Sequence, residues 1–189
     1  MQRRWKHGAP ICFGFDLRKF NCPLSAKNRL HLSAPFASLR LRVLALISGV
    51  SKKSVKIAAL IERHQGQDLS AYYLGYFELF NAQLFYESHD VLEELWLPIR
   101  REPGGDFYKG LIQLAGAFVH LQKNRLRPSA ALFKLARTNL EKYPAQHEQL
   151  DLAQLLVVIE VWLTRLEGND FSENPLANCD APKLILIQK

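Results

Sequence analysis

From residue 68 onward, apolar residues recur at the three- and four-residue spacing of amphipathic helices, and capping or breaking residues punctuate the pattern. The first predicted helix covers 70–81 (SAYYLGYFELFN), with Asp68 or Ser70 as its N-cap. Five aromatics fall there within nine residues: Tyr72, Tyr73, Tyr76, Phe77 and Phe80. They cover more than one face, so this helix is either buried on two sides or partly an interface. A tight corner at 81–84 leads into a second helix, 85–97, which Pro98 is expected to end because proline cannot continue the backbone ladder. The Gly104-Gly105 turn and an Asp106 N-cap introduce a third helix, 107–123. A fourth spans 128–142, with Pro128 in its first turn and Pro144 beyond its end. The fifth, 149–167, is nearly apolar all round and is capped by Gly168-Asn169. A strand-like run at 184–187 is expected to lie along the bundle. The fold class that follows is all-α: a compact antiparallel bundle of about five helices joined by short loops.

The first sixty residues break this regularity. They show no sustained period of 2 or 3.6, although 51–65 (SKKSVKIAALIERHQ) reads as a short helix leading into the bundle. The organisation expected is therefore a basic, largely irregular extension over 1–61 and a helical domain with a C-terminal tail over 62–189. The extension reads as a disordered tail, as translated sequence upstream of the true start, as an acid-poor organellar targeting segment, or as a nucleic-acid arm. Residues 41–50 have the apolarity of a signal core, but Arg42 interrupts them and no small-residue cleavage site follows.

Charge changes meaning once it is divided along the chain. Residues 1–61 hold twelve Lys/Arg against Asp16 alone, a net of +11, whereas the remainder holds 13 basic and 17 acidic residues, a net of −4. The overall +7 thus belongs to the segment least patterned for folding, and nucleic-acid binding by the domain itself is not favoured. The longest apolar stretch, 152–163, is twelve residues interrupted by Gln154 and Glu160, too short for a membrane span of about 20. Cys12, Cys22 and Cys179 have neither CxxC spacing nor a nearby histidine pair, which points to no zinc site or disulfide framework and fits a reduced, cytoplasmic setting.

Candidate chemistry concentrates on the second and third helices. On the second, Phe85, Leu92 and Trp96 mark the core face, His89 sits near its centre and Glu93 lies at its border, while Glu87, Asp90 and Glu94 form an outward acidic stripe. Residues at i and i+4 share a face, so Glu93 can orient His89, raise its basicity or share a metal with it; equally, the histidine can be a hydrogen-bonded core residue locking helices together. On the third, Lys109, Gln113 and His120 form a polar stripe with Gly116 between them. If that stripe faces the second helix, the five residues form a polar pocket inside the bundle; if it faces water, it is an ordinary exposed stripe. The metal candidates are His89, Glu93 and His120. A di-iron site is disfavoured because neither helix carries Glu-x-x-His. Glu160, within an apolar run, is expected to pair with Lys109 or an arginine, or to emerge at an edge. No specific motif indicates a cofactor.

The combined pattern of Phe80, Asn81, Tyr86, His89, Asp90, Leu92, Glu93 and Trp96, continued by Gly110, Leu111, Ile112, Gln113 and His120, resembles the bacterial domain-of-unknown-function family 309 over about 72–167. Asp90 stands where glutamate is commoner in that pattern. The resemblance implies a compact helical bundle and carries no established activity. The function expected is a non-catalytic ligand-binding or protein-interaction module, with a homodimer formed through the aromatics of 70–81 and a small-molecule ligand as candidate partners. The alternative is a hydrolase-like or metal-dependent enzyme using the His/Glu pocket.

Overall fold

The structure, a computed structural model, describes residues 52–187. The readings of 1–51, including those of Cys12 and Cys22, lie outside these residues. The described chain runs α1 (Lys52–Ile61), a 3-10 turn (Glu62–His64), α2 (Ala71–Asn81), α3 (Phe85–Ile99), α4 (Gly105–Gln122), α5 (Leu126–Leu140), β1 (Gln146–His147), β2 (Leu150–Asp151), α6 (Leu152–Glu167) and α7 (Pro175–Asn178). It is an all-α bundle, as the periodicity predicts, and no described helix is long and apolar enough to cross a membrane.

Helix α4 is the axis of the bundle. Phe107, Leu111, Leu114, Ala115, Ala117, Phe118 and Leu121 are all fully buried on it, and they point in several directions around the helix. Such all-round burial requires neighbours on more than one side. The Phe118 ring meets Phe80 of α2, Phe85 of α3, Phe133 of α5 and Trp162 of α6, with centroid separations of 5.0–5.3 Å. Three of these contacts are edge-to-face, a geometry that aligns the ring edge with a neighbour's π face. Close approach of α5 depends on Gly110, where a Cβ would stand 2.7 Å from Leu140 Cγ.

Helix α2 is buried on two sides. Tyr76, at 0% exposure, donates its hydroxyl to the Leu111 carbonyl of α4, and its own carbonyl accepts from Ser88 of α3. On the opposite side, Gly75 receives Ile61, which with Ile57, Leu79 and Val91 forms a second small core beneath α1. Tyr73, Tyr76, Phe77 and Phe80 are thus consumed inside the chain, the two-sided burial that is one of the alternatives for this helix, while Tyr72 is partly buried against the small core.

Several boundaries differ from the sequence reading, each for a local reason. Pro98 does not stop α3; it sits in the last turn, and the helix closes at Ile99 with Arg100 Nη1 donating to the Leu97 carbonyl. Asp106 lies in the first turn of α4 instead of capping it and accepts from Lys142 at 2.6 Å. The orphan N–H of Phe107 in that turn is satisfied by the Tyr143 hydroxyl. Residues 149–151 are not helical. Glu148 and Gln149, both at positive φ, form the tight turn between β1 and β2, and Asp151 then caps α6 by accepting from the Gln154 N–H. Glu160 emerges at an edge and pairs with Arg137 at 2.6 Å.

The tail follows the expected strand-like course. Asn81 clasps it with two hydrogen bonds, Nδ2 donating to the Leu184 carbonyl and Oδ1 accepting the Leu184 N–H. Leu186 bridges Leu150, and the Ile187 N–H donates to the Gln149 carbonyl. Asn81→Ala removes both Asn81 bonds and is expected to cost about 1–3 kcal/mol. Amide exchange at Leu184 should accelerate selectively in the variant, and unchanged exchange there would show that the tail docks without Asn81.

Candidate functional site

The site grows from the meeting of α3 with α4. His89 projects from α3 so that its Cδ2 lies 4.0 Å from where a Cβ on Gly116 would be, and Leu132 of α5 closes the same spot at 3.2 Å. A side chain at 116 would press on Leu132 and would meet the imidazole edge at ordinary van der Waals distance, so the glycine marks where α3, α4 and α5 come together. The other edge of the ring, Nδ1, lies 3.5 Å from Asp90 Oδ1. His89 is therefore a two-sided group, with one edge over α4 and the other toward α1, its side chain about a third exposed at 32%.

Helix α1 supplies the charge that the sequence reading placed elsewhere. Lys53 Nζ lies 2.6 Å from Glu93 Oε2 and 3.4 Å from Asp90 Oδ1, and Lys56 pairs with Glu87 at 3.1 Å. Asp90 and Glu87 thus belong to a covered interface between α1 and α3, a correction to the outward acidic stripe. Hydrogen bonding to Glu93 holds the Lys53 ammonium above the usual lysine range, against a smaller opposing effect of burial. Within this grouping His89, Asp90 and Glu93 each offer one ligand atom, all within 4.8 Å of one another.

The α4 stripe is only partly gathered. Gln113 turns toward α5 and accepts from Asn139 Nδ2 at 2.7 Å, while Asn139 Oδ1 accepts from Lys142 at 3.2 Å. Lysine can only donate and Asp106 can only accept, so the polarity of this chain is fixed from its end. The Gln113 amide nitrogen is left with no acceptor among the described residues. Lys109 is half-buried near Asp106. Continuing the antiparallel register set by His89 and Gly116 toward the α3–α4 loop brings Trp96 level with Lys109. The Trp96 indole N–H is buried without a hydrogen-bond partner, as is His120 Nδ1 at the other end of the stripe. Ser129 Oγ and Asn169 Oδ1 are in the same state, and what distinguishes Trp96 and His120 is that they lie on the two helices that carry His89 and Gly116.

Sequence reasoning singled out His89, Glu93, Lys109, Gln113 and His120, and the structure adds Lys53, Asp90, Trp96 and Asn139 as their neighbours or as polar groups on the same helices. One signal was available: Lys53 and Lys56 are three residues apart, and so are Glu87, Asp90 and Glu93, which is the spacing of two helices laid charge against charge.

Residues 73–132 match the family model described as domain of unknown function (DUF309). The DUF309 match takes in most of α2, all of α3 and α4, and α5 as far as Leu132, and it ends short of the 167 over which the motif resemblance was read. It contains His89, Glu93, Lys109, Gln113, Gly116 and His120, whereas Lys53 and Asn139 fall outside it. Neither the curated proteins nor the solved structures compared gave a match to the chain.

His120 also gives the domain a pH dependence. Burial, with a smaller push from the Arg125 and Lys123 charges, lowers its pKa below the ordinary histidine value. The unfolded chain therefore binds the proton first as pH falls. The stability associated with neutral His120 is complete above about pH 6.5 and is lost as pH drops from there toward the folded value. Thermal unfolding of the parent and of His120→Gln between pH 7.5 and 5 should show a smaller decline in the variant. Parallel curves would mean that His120 titrates alike in both states.

Proposed function

We propose that this domain is a non-catalytic binding module whose ligand enters the groove between α3 and α4, beside His89 and over Gly116. The observation that carries this reading is that Trp96 of α3 and His120 of α4, the helices that would flank the ligand, each bury a polar atom without a partner, Nε1 and Nδ1. The two helices carry three donors for such a ligand: the Trp96 indole N–H, the Lys109 ammonium and the Gln113 amide, whose oxygen is bonded to Asn139. Such a set suits a small molecule bearing carboxylate or phosphate oxygens. A second reading, a hydrolase-like or metal-dependent enzyme, draws on the grouping of His89, Asp90 and Glu93.

The test uses the Trp96 indole N–H resonance as reporter while acetate, succinate, citrate and inorganic phosphate are titrated into the protein. At least one should move that resonance in a saturable way, and Gly116→Ala should abolish the shift. Gly116→Ala should itself be neutral or stabilising by up to about 1 kcal/mol, since alanine is the better helix former and Leu132 has a flexible end to move. His89→Ala should cost less than about 1 kcal/mol for a group about a third exposed beside a bound ligand. A cost of several kcal/mol, with no anion moving the indole resonance, would make His89 structural and remove this reading.

A further inference from the structure

The grouping on the α1 side of His89 has a composition of its own. It combines one imidazole nitrogen and two carboxylates, all half-buried, within 4.8 Å of one another. The ligand atoms come from two successive turns of one helix, so their backbone spacing is rigid. The ring that offers Nδ1 turns its Cδ2 edge toward Gly116 of α4, so its Nδ1 edge is the one left facing the carboxylates. Metal–ligand bonds of about 2.0–2.3 Å require donor atoms about 3–4 Å apart, and small side-chain rotations of Asp90 and Glu93 supply that contraction. The place such an ion would take is attended by a cation already: Lys53 Nζ stands 2.6 Å from Glu93 and 3.4 Å from Asp90.

The way this ammonium is held makes it removable. Lys53 lies in the first turn of α1 and its side chain is 40% exposed, whereas the anchors of that helix are Ile57 and Ile61, buried at 3% and 1%. The lysine can swing into water while the helix stays in place. An exposed ion pair of this kind is also a weak constraint.

We propose that His89, Asp90 and Glu93 form a site for one divalent first-row transition cation, with Lys53 as a tethered counter-ion that competes for it. Mixed nitrogen and carboxylate donors suit manganese, iron or zinc, while calcium would demand six or more oxygens. The ion binds at the Nδ1 edge of His89, so this site is separate from the groove at the opposite edge and does not depend on that groove being a ligand site. With Lys53 present, the entering dication displaces a unit positive charge; without it, the two carboxylates face the ion uncompensated.

The experiment is a Mn²⁺ titration of the full chain followed by the electron paramagnetic resonance of the free ion, at constant ionic strength. Four proteins are compared: parent, Lys53→Ala, Lys53→Met and Lys53→Ala/Asp90→Asn, with circular dichroism confirming the helical fold. Lys53→Ala should bind one Mn²⁺ about tenfold more tightly than the parent. The added Asp90→Asn should return affinity to the parent level or below. Lys53→Met, which keeps the aliphatic stem against α3, should show the same gain and serves in place of Lys53→Ala if that variant does not fold. Equal affinity in parent and Lys53 variants, or a gain that survives Asp90→Asn, would overturn the proposal. Because Asp90 has no part in the groove, either outcome leaves the anion titration of the indole resonance to be judged independently.

Discussion

The aromatic junction at Phe118 is the constraint on which the rest of the bundle depends. One ring, carried by the most enclosed helix, touches a ring from each of four other helices. Interiors are packed as tightly as organic crystals, so the position of each of those helices is tied to the same few cubic ångströms. The consequence reaches the site. Phe85, stacked on Phe118, lies one turn before His89 on α3, and Phe133, at the edge of the same ring, is the immediate neighbour of Leu132. The meeting of helices at Gly116 is therefore set from below by hydrophobic packing, and the polar groups above it inherit a rigid spacing.

Much of this architecture was legible along the chain because it is local. The helices α2 to α6 follow from apolar periodicity, and the close contact at Gly110 was foreshadowed by a glycine placed where helix propensity argues against it. What escaped was determined by partners remote in sequence. Nothing near Leu150 and Asp151 announces a strand; they become one because the Glu148-Gln149 turn folds them back on Gln146 and His147, Leu186 of the tail bridges Leu150, and Asp151 then caps α6. Pro98 stays inside α3 one residue before its end, where only Ile99 follows it; its missing N–H leaves the Glu94 carbonyl without its usual ladder donor.

The site was half-legible for the same reason. His89 and the α4 stripe share a pattern that any helical projection finds, and Gly116 marked where they meet. Asp90, however, was assigned to solvent because its true neighbour, Lys53, came from a stretch with little periodicity of its own. Trp96 was counted as core, and only its unpartnered indole nitrogen distinguishes it from an ordinary buried aromatic. Asn139 carries no motif at all; its importance lies in transmitting the donor polarity of Lys142 to Gln113.

The clasp between Asn81 and Leu184 joins residues 103 apart in sequence, whereas the pairings of α2 with α3, α3 with α4 and α4 with α5 join neighbours across short turns. Loop-closure entropy rises with separation, so docking the tail costs more chain entropy than closing any of the helical hairpins, and it is offset only where those hairpins are formed. The tail then acts as a seal on completed work: it finds Asn81 and the Glu148-Gln149 turn together only when α2 and the β1–β2 turn are already in register. A chain that has folded its helices incorrectly presents no seam for it to close.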